Sequence, residues 1–449
     1  MQNSKRKIGV ELEYPVVDKD GESIQPSDNV LIWQELKSIG WQIIKDRYTK
    51  KMISALKDRD RIDTDWGAGL LELALAPCSN LHQLQKRIQQ QLKLIASVAK
   101  RLNFSLLAYA IQPKTKCSSA HLTPKSYYSL ILKNLFRTKQ KRENCIKTNC
   151  SIAANQINID LNVDEAIDAV NIFNGFSGLF IALCANSPIY QNKNTGFHGY
   201  RSYLIDSLAE PKFKYRLGMP PRPFKNLSDY FSEILKINPL FIIRGSKIID
   251  IVNNKKIIFD QYLQGQNWQG RALDGEIVKV NPQMQDLLLV QKFYWPEARL
   301  RYSFKTKTSL QKFLSVYRNN CQLTDFLRQN LKTLYLEIRP CDSAPQGEET
   351  APAALSLGIL SNLSKAKQLY HDLSWLKWRQ IKKLAMLTSM ETLQLYPILK
   401  KLLEIAQNGL KLREQGEEKF LEPLWRRLKK NQSPAMHLIL TNKPKISLY

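Results

Sequence analysis

Two glutamates lie on the same face of the first predicted strand of the chain. Glu11 and Glu13 alternate with the apolar residues Val10, Leu12 and Tyr14, and this period of two indicates a half-buried β-strand. Side chains two residues apart on a strand lie about 6.6 Å from each other. The pattern therefore predicts that one strand aims two carboxylates at a single site.

Three later segments repeat this feature. Glu72 stands inside an otherwise apolar strand pattern, and Glu337 shares one strand face with Arg339. A further predicted strand carries amide and acidic side chains on one face and isoleucine and leucine on the other; the polar face consists of Gln156, Asn158 and Asp160. Four strands in one chain thus present polar, oxygen-bearing side chains toward one side.

Carboxylates that face inward are costly unless they are paired or bind a metal ion. Oxygen ligands of this kind suit Mg²⁺ or Mn²⁺ better than zinc; the candidate set is Glu11, Glu13, Glu72, Gln156 and Glu337. A single glutamate on a strand is more often exposed or salt-bridged, but four such strands together favour a shared metal site. The residues alone therefore predict a metal-dependent enzyme that acts on phosphate or carboxylate groups.

Other catalytic signatures are missing from the sequence. It contains no GxxxxGK[ST], GxGxxG or GxSxG pattern, and no cysteine has a plausible histidine partner. If a nucleoside triphosphate binds, metal-binding carboxylates and arginines must hold it in place of a phosphate-binding loop.

Helices separate the polar strands. Apolar residues recur at helical spacing over residues 80–102, and residues 164–185 have the composition of one buried helix. Residues 352–430 are predicted to be mostly helical, with breaks at Pro397, Gly409, Gly416 and Pro423. Because strands and helices mix without regular alternation, we expect an α+β fold with a largely antiparallel sheet.

Composition narrows the class of protein. The 449 residues are 43% hydrophobic, and 67 Lys and Arg against 40 Asp and Glu give a net charge of +27. We attribute this charge to solvated lysine faces and expect no nucleic-acid partner, because the basic stretches lack interleaved aromatic residues. No apolar run is long enough to span a membrane, so no membrane association is expected. Seven scattered cysteines and no secretory signal favour a reducing, cytoplasmic location.

Five motifs, in order along the chain, resemble the glutamate–cysteine ligase superfamily, the carboxylate–amine ligases related to glutamine synthetase. They are Gly9-Val10-Glu11-Leu12-Glu13-Tyr14; Gln156-Ile157-Asn158-Ile159-Asp160; Ala185-Asn186-Ser187-Pro188 with Gly196-Phe197 and Arg201-Ser202; Asn238-Pro239-Leu240-Phe241-Ile242-Ile243-Arg244; and Tyr335-Leu336-Glu337-Ile338-Arg339 with Asp342. The C-terminal third is similar to the plant and proteobacterial branch of the family.

The resemblance implies one catalytic domain over residues 1–449, with an insertion at about 303–332 and a C-terminal helical part at about 352–449. Its fold would be a curved, mostly antiparallel sheet that forms a funnel flanked by helices. The implied reaction joins glutamate and cysteine with ATP and Mg²⁺ (or Mn²⁺) through a γ-glutamyl phosphate, the first step of glutathione synthesis.

The resemblance also implies roles for individual residues. The metal ligands would be Glu11, Glu13, Glu72, Gln156 and Glu337. The catalytic residues would be Arg339, Glu337 and Arg201, with Arg339 facing the transferred phosphoryl group. Lys125, Arg299 and Asn158 would bind the nucleotide.

Three departures from the family pattern leave the amine substrate open. The loop before Glu72 lacks the family's acidic residue, so one metal ligand would be either lost or supplied by Asp63 or Asp65. Tyr127 stands where the family has an arginine, and the insertion splits a motif beside the active site. Two alternatives remain: a ligase of the same superfamily that joins another amino acid or amine, and an inactive paralogue or basic binding protein. The sequence does not determine the oligomeric state.

Overall fold

The computed structural model describes residues 6–208, 216–252, 256–391 and 393–440. Its strands are β1 (Ile8–Val17), β2 (Gln42–Lys45), β3 (Met52–Lys57), β4 (Asp60–Thr64), β5 (Leu70–Ala74), β6 (Ser105–Leu106), β7 (Asn155–Asp160), β8 (Ile189–Tyr190), β9 (Lys193–Asn194), β10 (Leu217–Gly218), β11 (Ile242–Arg244), β12 (Lys247–Ile251), β13 (Trp268–Ala272), β14 (Ile277–Val280), β15 (Trp295–Pro296), β16 (Ala298–Phe304) and β17 (Leu331–Ile338).

Nine of these strands form one large sheet in the order β16-β17-β7-β1-β5-β4-β3-β2, with β6 beside one end of β1. Every pairing in this sheet is antiparallel. A second antiparallel sheet runs β11-β12-β13-β14, β8 pairs with β9, and β10 pairs in parallel with β15. The predicted α+β fold with a largely antiparallel sheet is confirmed.

Helices cover the sheet and form the C-terminal part. They are α1 (Pro26–Ser38), α2 (Leu81–Arg101), α3 (Tyr127–Leu135), α4 (Lys139–Asn149), α5 (Ala166–Gly175), α6 (Ser177–Cys184), α7 (Tyr200–Leu208), α8 (Leu227–Ile234), α9 (Phe259–Gln264), α10 (Met284–Val290), α11 (Leu310–Val316), α12 (Asn320–Asn330), α13 (Ala351–Ser361), α14 (Leu363–His371), α15 (Trp375–Thr388), α16 (Tyr396–Lys411), α17 (Glu422–Lys430) and α18 (Pro434–Leu440). Helices α2 and α13 contact β1, and α5 contacts β16 and β17.

The first strand shows why this packing forms. Ile8, Val10, Leu12 and Tyr14 are each at most 1% exposed and belong to the main hydrophobic core. Because side chains alternate along a strand, the burial of these four residues places Glu11 and Glu13 on the opposite face of the sheet.

The central predictions for the helices hold, with two corrections. Residues 164–185 form two helices, since the chain bends between α5 and α6. Gly178 allows α6 to pack closely against α15, because a Cβ at that position would lie 2.6 Å from the backbone nitrogen of Lys382 on α15. Gly409 does not break a helix but lies within α16, where its missing side chain admits the carbonyl oxygen of Gly358 on α13. Pro397 and Pro423 occupy first turns, where proline is tolerated.

The division into domains stays a prediction. The expected insertion at 303–332 holds α11 and α12, which connect the paired strands β16 and β17. The expected C-terminal part reaches residues 441–449, which lie outside the described residues. Within the described ranges no single helix has the length and apolarity to cross a membrane; only Val163–Gly175 and Ser177–Cys184, bent by 50°, would meet that criterion as a pair.

Candidate active site

Three acidic side chains lie side by side across the middle of the large sheet. The register pairs Asp63 on β4 with Glu72 on β5, and Glu72 with Glu13 on β1. Residues directly opposite each other in antiparallel strands point to the same face. The sheet therefore brings together carboxylates from the consecutive strands β4 and β5 and from β1, which lies far from them in sequence.

The polar row continues on the other side of β1. Glu11 lies opposite Gln156 on β7, Asn158 on β7 lies opposite Glu337 on β17, and Glu337 lies opposite Arg299 on β16. One face of the sheet thus changes from acidic at β4, β5 and β1 to basic at β17 and β16. Such a face suits a ligand that carries both metal ions and anionic groups.

A cavity of about 250 Å³ opens over this face. Its polar lining includes Glu11, Glu13, Asp65, Glu72, Gln156, Arg201, Glu297, Arg299 and Arg339. The opposite wall is largely apolar and is formed by Trp66, Leu135, Phe136, Ile152, Ile205, Leu208, Leu217, Trp295 and Pro296. The cavity therefore has charged groups on the face of the sheet, which we call its floor, and mostly apolar side chains in the rest of its lining.

Burial raises the pKa of the acidic residues at this floor. The pKa of Glu13 rises to about 8, because burial and then the nearby Asp65 disfavour its ionised form. The pKa of Glu72 lies well above its ordinary value, since burial is reinforced by repulsion from Glu11 and neighbouring acids. With the other described residues, Glu72 makes no hydrogen bond or ion pair. Asp63 is paired with Lys125, but no cation of the described residues pairs with Glu72.

Glu337 has the opposite environment. Its carboxylate lies 2.6 Å from Arg299 Nη2, 2.7 Å from Arg339 Nη1 and 3.4 Å from Arg301 Nε. Burial alone would raise the pKa of Glu337, but the three guanidinium groups outweigh it and hold that pKa far below its ordinary range. Glu337 therefore organises the arginines at the basic end.

Gln156 joins the two ends of the row. Its amide oxygen accepts a hydrogen bond of 2.5 Å from Arg339, and its amide nitrogen donates one of 2.6 Å to Glu13. The other oxygen of Glu13 accepts from the backbone nitrogen of Ala154 at 2.8 Å. Asn158 donates to Glu11 at 3.0 Å, and its own side-chain oxygen is buried without a partner.

Two further predicted residues lie at different distances from the cavity. Arg201 lines it; Nη1 lies 3.8 Å from Asp342, Nη2 donates to the carbonyl of Arg339, and the buried Nε has no partner among the described residues. Lys125 is buried 3.0 Å from Asp63 and lies behind the acidic end of the row. Most of the predicted site residues therefore lie together on the floor of the cavity. Lys125 does not line the cavity and instead pairs with Asp63.

Sequence reasoning did not assign a role to two charged residues near the cavity. Arg301 contacts Glu337, and Glu297 lines the cavity while it pairs at 2.6 Å with the buried Lys382 of α15. A signal for both exists in the sequence, because Glu297, Arg299 and Arg301 recur with the period-two spacing of a strand face.

Comparison with known proteins identifies the family. The model of glutamate-cysteine ligase family 2 (GCS2) matches residues 7–445. The chain belongs to this family. The expected resemblance is confirmed, and the prediction of a ligase is confirmed at the level of the family.

Proteins similar to this chain include plant members of the glutamate–cysteine ligase family. Chloroplastic glutamate–cysteine ligase of Brassica juncea is 22% identical over 97% of this chain and 78% of its own length. The Medicago truncatula protein of the same name is 23% identical over 83% of this chain, a match that spans 66% of the plant protein. Among solved structures, the glutamate–cysteine ligase of Francisella tularensis in complex with AMP has a TM-score of 0.51 at 12% identity, covering 98% of this chain and 85% of that one. This likeness supports the fold.

The oxygen atoms on the cavity floor of this glutamate–cysteine ligase family member are of the kind that bind a hard divalent cation. Buried carboxylates and an amide supply oxygen ligands, and burial, reinforced by repulsion between the acids, raises the pKa values of Glu11, Glu13 and Glu72. As the side chains stand, no group of three or more His, Cys, Asp or Glu in the described residues is arranged to hold a metal ion. Binding a metal ion therefore requires these glutamates to draw together around it.

Proposed function

We propose that this chain is an ATP-dependent ligase that joins the γ-carboxyl of glutamate to the amine of cysteine through a γ-glutamyl phosphate. The observation that carries the proposal is the polar row of the sheet. It presents carboxylates at one end and arginines at the other, inside one cavity of a chain that belongs to the glutamate–cysteine ligase family.

The acidic end would hold Mg²⁺ or Mn²⁺. Glu11, Glu13 and Glu72 would supply the carboxylates. Gln156 would supply the second lone pair of its amide oxygen while Arg339 donates to the first. Such a cation neutralises the negative charge on phosphate oxygens as phosphoryl transfer proceeds. The raised pKa values of Glu11, Glu13 and Glu72, which burial causes first and repulsion from neighbouring acids second, support this proposal.

The basic end would hold the transferring phosphoryl group and the glutamate carboxylates. Arg339 lines the cavity and is locked by Glu337 and Gln156, so its guanidinium fork is oriented before substrate arrives. Arg201 lines the same cavity with a free buried Nε, which suits a second anionic group. Glu337 acts through the arginines as a positioning residue, and Arg299 fixes Glu337 from the neighbouring strand.

A second candidate function is a ligase of the same family that uses another amine. The apolar wall of the cavity favours it, because Trp66, Leu217 and Trp295 offer more apolar surface than a small polar amine requires. Tyr127 is half-buried and contacts Tyr128 and Phe241, and Tyr128 in turn stacks on Trp66 of this wall. These residues would set the size of the amine.

One assay tests both candidates. Purified full-length protein would receive ATP, Mg²⁺ and glutamate with a panel of amino acids and amines, and phosphate release and product mass would be measured. We expect cysteine to give a product with the mass of γ-glutamylcysteine, and Glu72→Gln protein to give none. Product only with another amine would select the second candidate. No amine-dependent phosphate release with any combination would refute both and leave an inactive paralogue.

A further inference from the structure

A second and larger cavity lies behind the wall of the candidate active site. Its volume is about 710 Å³, within the range of sites for small organic ligands. The paired strands β10 and β15 separate the two cavities: Leu217 and Trp295 line the first, whereas the preceding residues Arg216 and Tyr294 line the second. Consecutive residues of an extended chain point to opposite sides, which explains this division.

The second cavity carries an excess of positive charge. Among the described residues, its lining includes Arg137, Arg216, Arg222 and Lys236 but a single carboxylate, Glu233. That carboxylate is already engaged, at 2.9 Å from Arg222 and 2.7 Å from Lys236. The remaining cations of the lining therefore have no acid of the cavity to neutralise them.

Arg216 is the central group. It is only 4% exposed, and its guanidinium donates to the backbone carbonyls of Phe293 at 3.1 Å and Asn238 at 2.9 Å. Among the described residues, Arg216 has no ion pair. Burial without a compensating charge lowers its pKa to about 9. The two carbonyls fix the guanidinium in place but do not offset the cost of burying its charge.

We propose that this cavity binds a small organic anion, with Arg216 contacting a phosphate or carboxylate group and Arg137 contacting it at the exposed mouth. A guanidinium already held by backbone acceptors is suited to bidentate recognition of such groups. The lining also contains Tyr294, Phe224 and two prolines, which would pack against the organic part of the ligand. The site does not depend on the proposed ligase reaction.

The test measures anion binding to the full-length protein by isothermal titration calorimetry in metal-free buffer. Pyrophosphate and citrate serve as probes, because they separate a phosphoryl ligand from a polycarboxylate. We expect at least one probe to bind at a single site, about tenfold or more weaker in Arg216→Gln and about threefold weaker in Arg137→Glu. The matched control is Arg339→Ala, which removes a cation from the first cavity and is expected to leave this binding within about twofold.

Each other outcome overturns the proposal. If neither probe binds, or if binding is lost in Arg339→Ala and kept in Arg216→Gln, the second cavity is not an anion site. If Arg216→Gln fails to fold, Arg137→Glu decides, because that side chain is exposed and makes no ion pair among the described residues. Unchanged affinity in Arg137→Glu would then refute the site.

Discussion

Replacing Arg339 tests the basic end of the floor most directly. Its Nη1 donates both to Gln156 at 2.5 Å and to Glu337 at 2.7 Å. In Arg339→Ala, Glu337 keeps its contacts with Arg299 and Arg301, so its charge stays compensated and the fold is expected to persist. The variant removes one of the three described arginines that line the cavity and leaves Arg201 and Arg299 in place.

The size of the effect follows from this geometry. Loss of one preoriented donor that stabilises developing charge lowers turnover by about 10² to 10³-fold. We expect a loss of this size in Arg339→Ala. Arg339→Lys keeps the charge, but a single ammonium group cannot donate hydrogen bonds to Gln156, Glu337 and substrate in the geometry of the guanidinium. We therefore expect turnover to fall about 10-fold with little change in the KM for ATP.

Steady-state phosphate release at saturating ATP, Mg²⁺ and amino acids measures this effect. Arg301→Ala is the matched control, because Arg301 also contacts Glu337 but does not line the cavity. We expect that control to lose less than about tenfold in turnover. Equal losses in both alanine variants would mean that Arg339 acts only through Glu337. Near-normal turnover of Arg339→Ala with a raised KM for one substrate would instead make it a substrate-carboxylate clamp.

Three further predictions concern stability and are measured by thermal unfolding. The metal-free protein should lose stability as pH rises from about 5 to 8, because Glu13, with a folded-state pKa of about 8, holds a proton that the unfolded chain releases near its ordinary pKa of 4.5. Mg²⁺ should reverse this loss most strongly at high pH, and a Mg²⁺ effect that is equal at both ends would contradict the assignment. Gly409→Ala should destabilise the protein by about 2 kcal/mol or more, because the added Cβ would meet the carbonyl oxygen of Gly358; a change below about 0.5 kcal/mol would show that the two helices separate freely. Lys382→Met should cost about 3 kcal/mol because it leaves Glu297 buried without its cation, and the double variant with Glu297→Gln should recover part of that loss.

The strand faces that carry the site residues could be predicted from the sequence, but the contacts between these residues could not. Alternation of apolar and acidic residues in β1 was sufficient to place Glu11 and Glu13 on one face, because burial of one side of a strand fixes the direction of the other. The same argument predicted the faces that carry Glu72, Gln156 and Glu337. It did not predict that Glu337 would be enclosed by three arginines, because cross-strand neighbours depend on which strands pair and in what register.

The sequence by itself determined the family, the mixed α+β class and the identity of the polar residues that face inward, since these follow from local periodicity and from motifs read in order. The tertiary structure alone decided which of these residues meet. Pairing of β17 with β7 and β16 brought Glu337 between Asn158 and Arg299, and pairing of β4 with β5 added Asp63 to the acidic row. The burial of Arg216, which has no ion pair among the described residues, could not be predicted from the sequence either, because an arginine that follows Lys212 and Lys214 looks like one more solvated cation until the fold removes it from water.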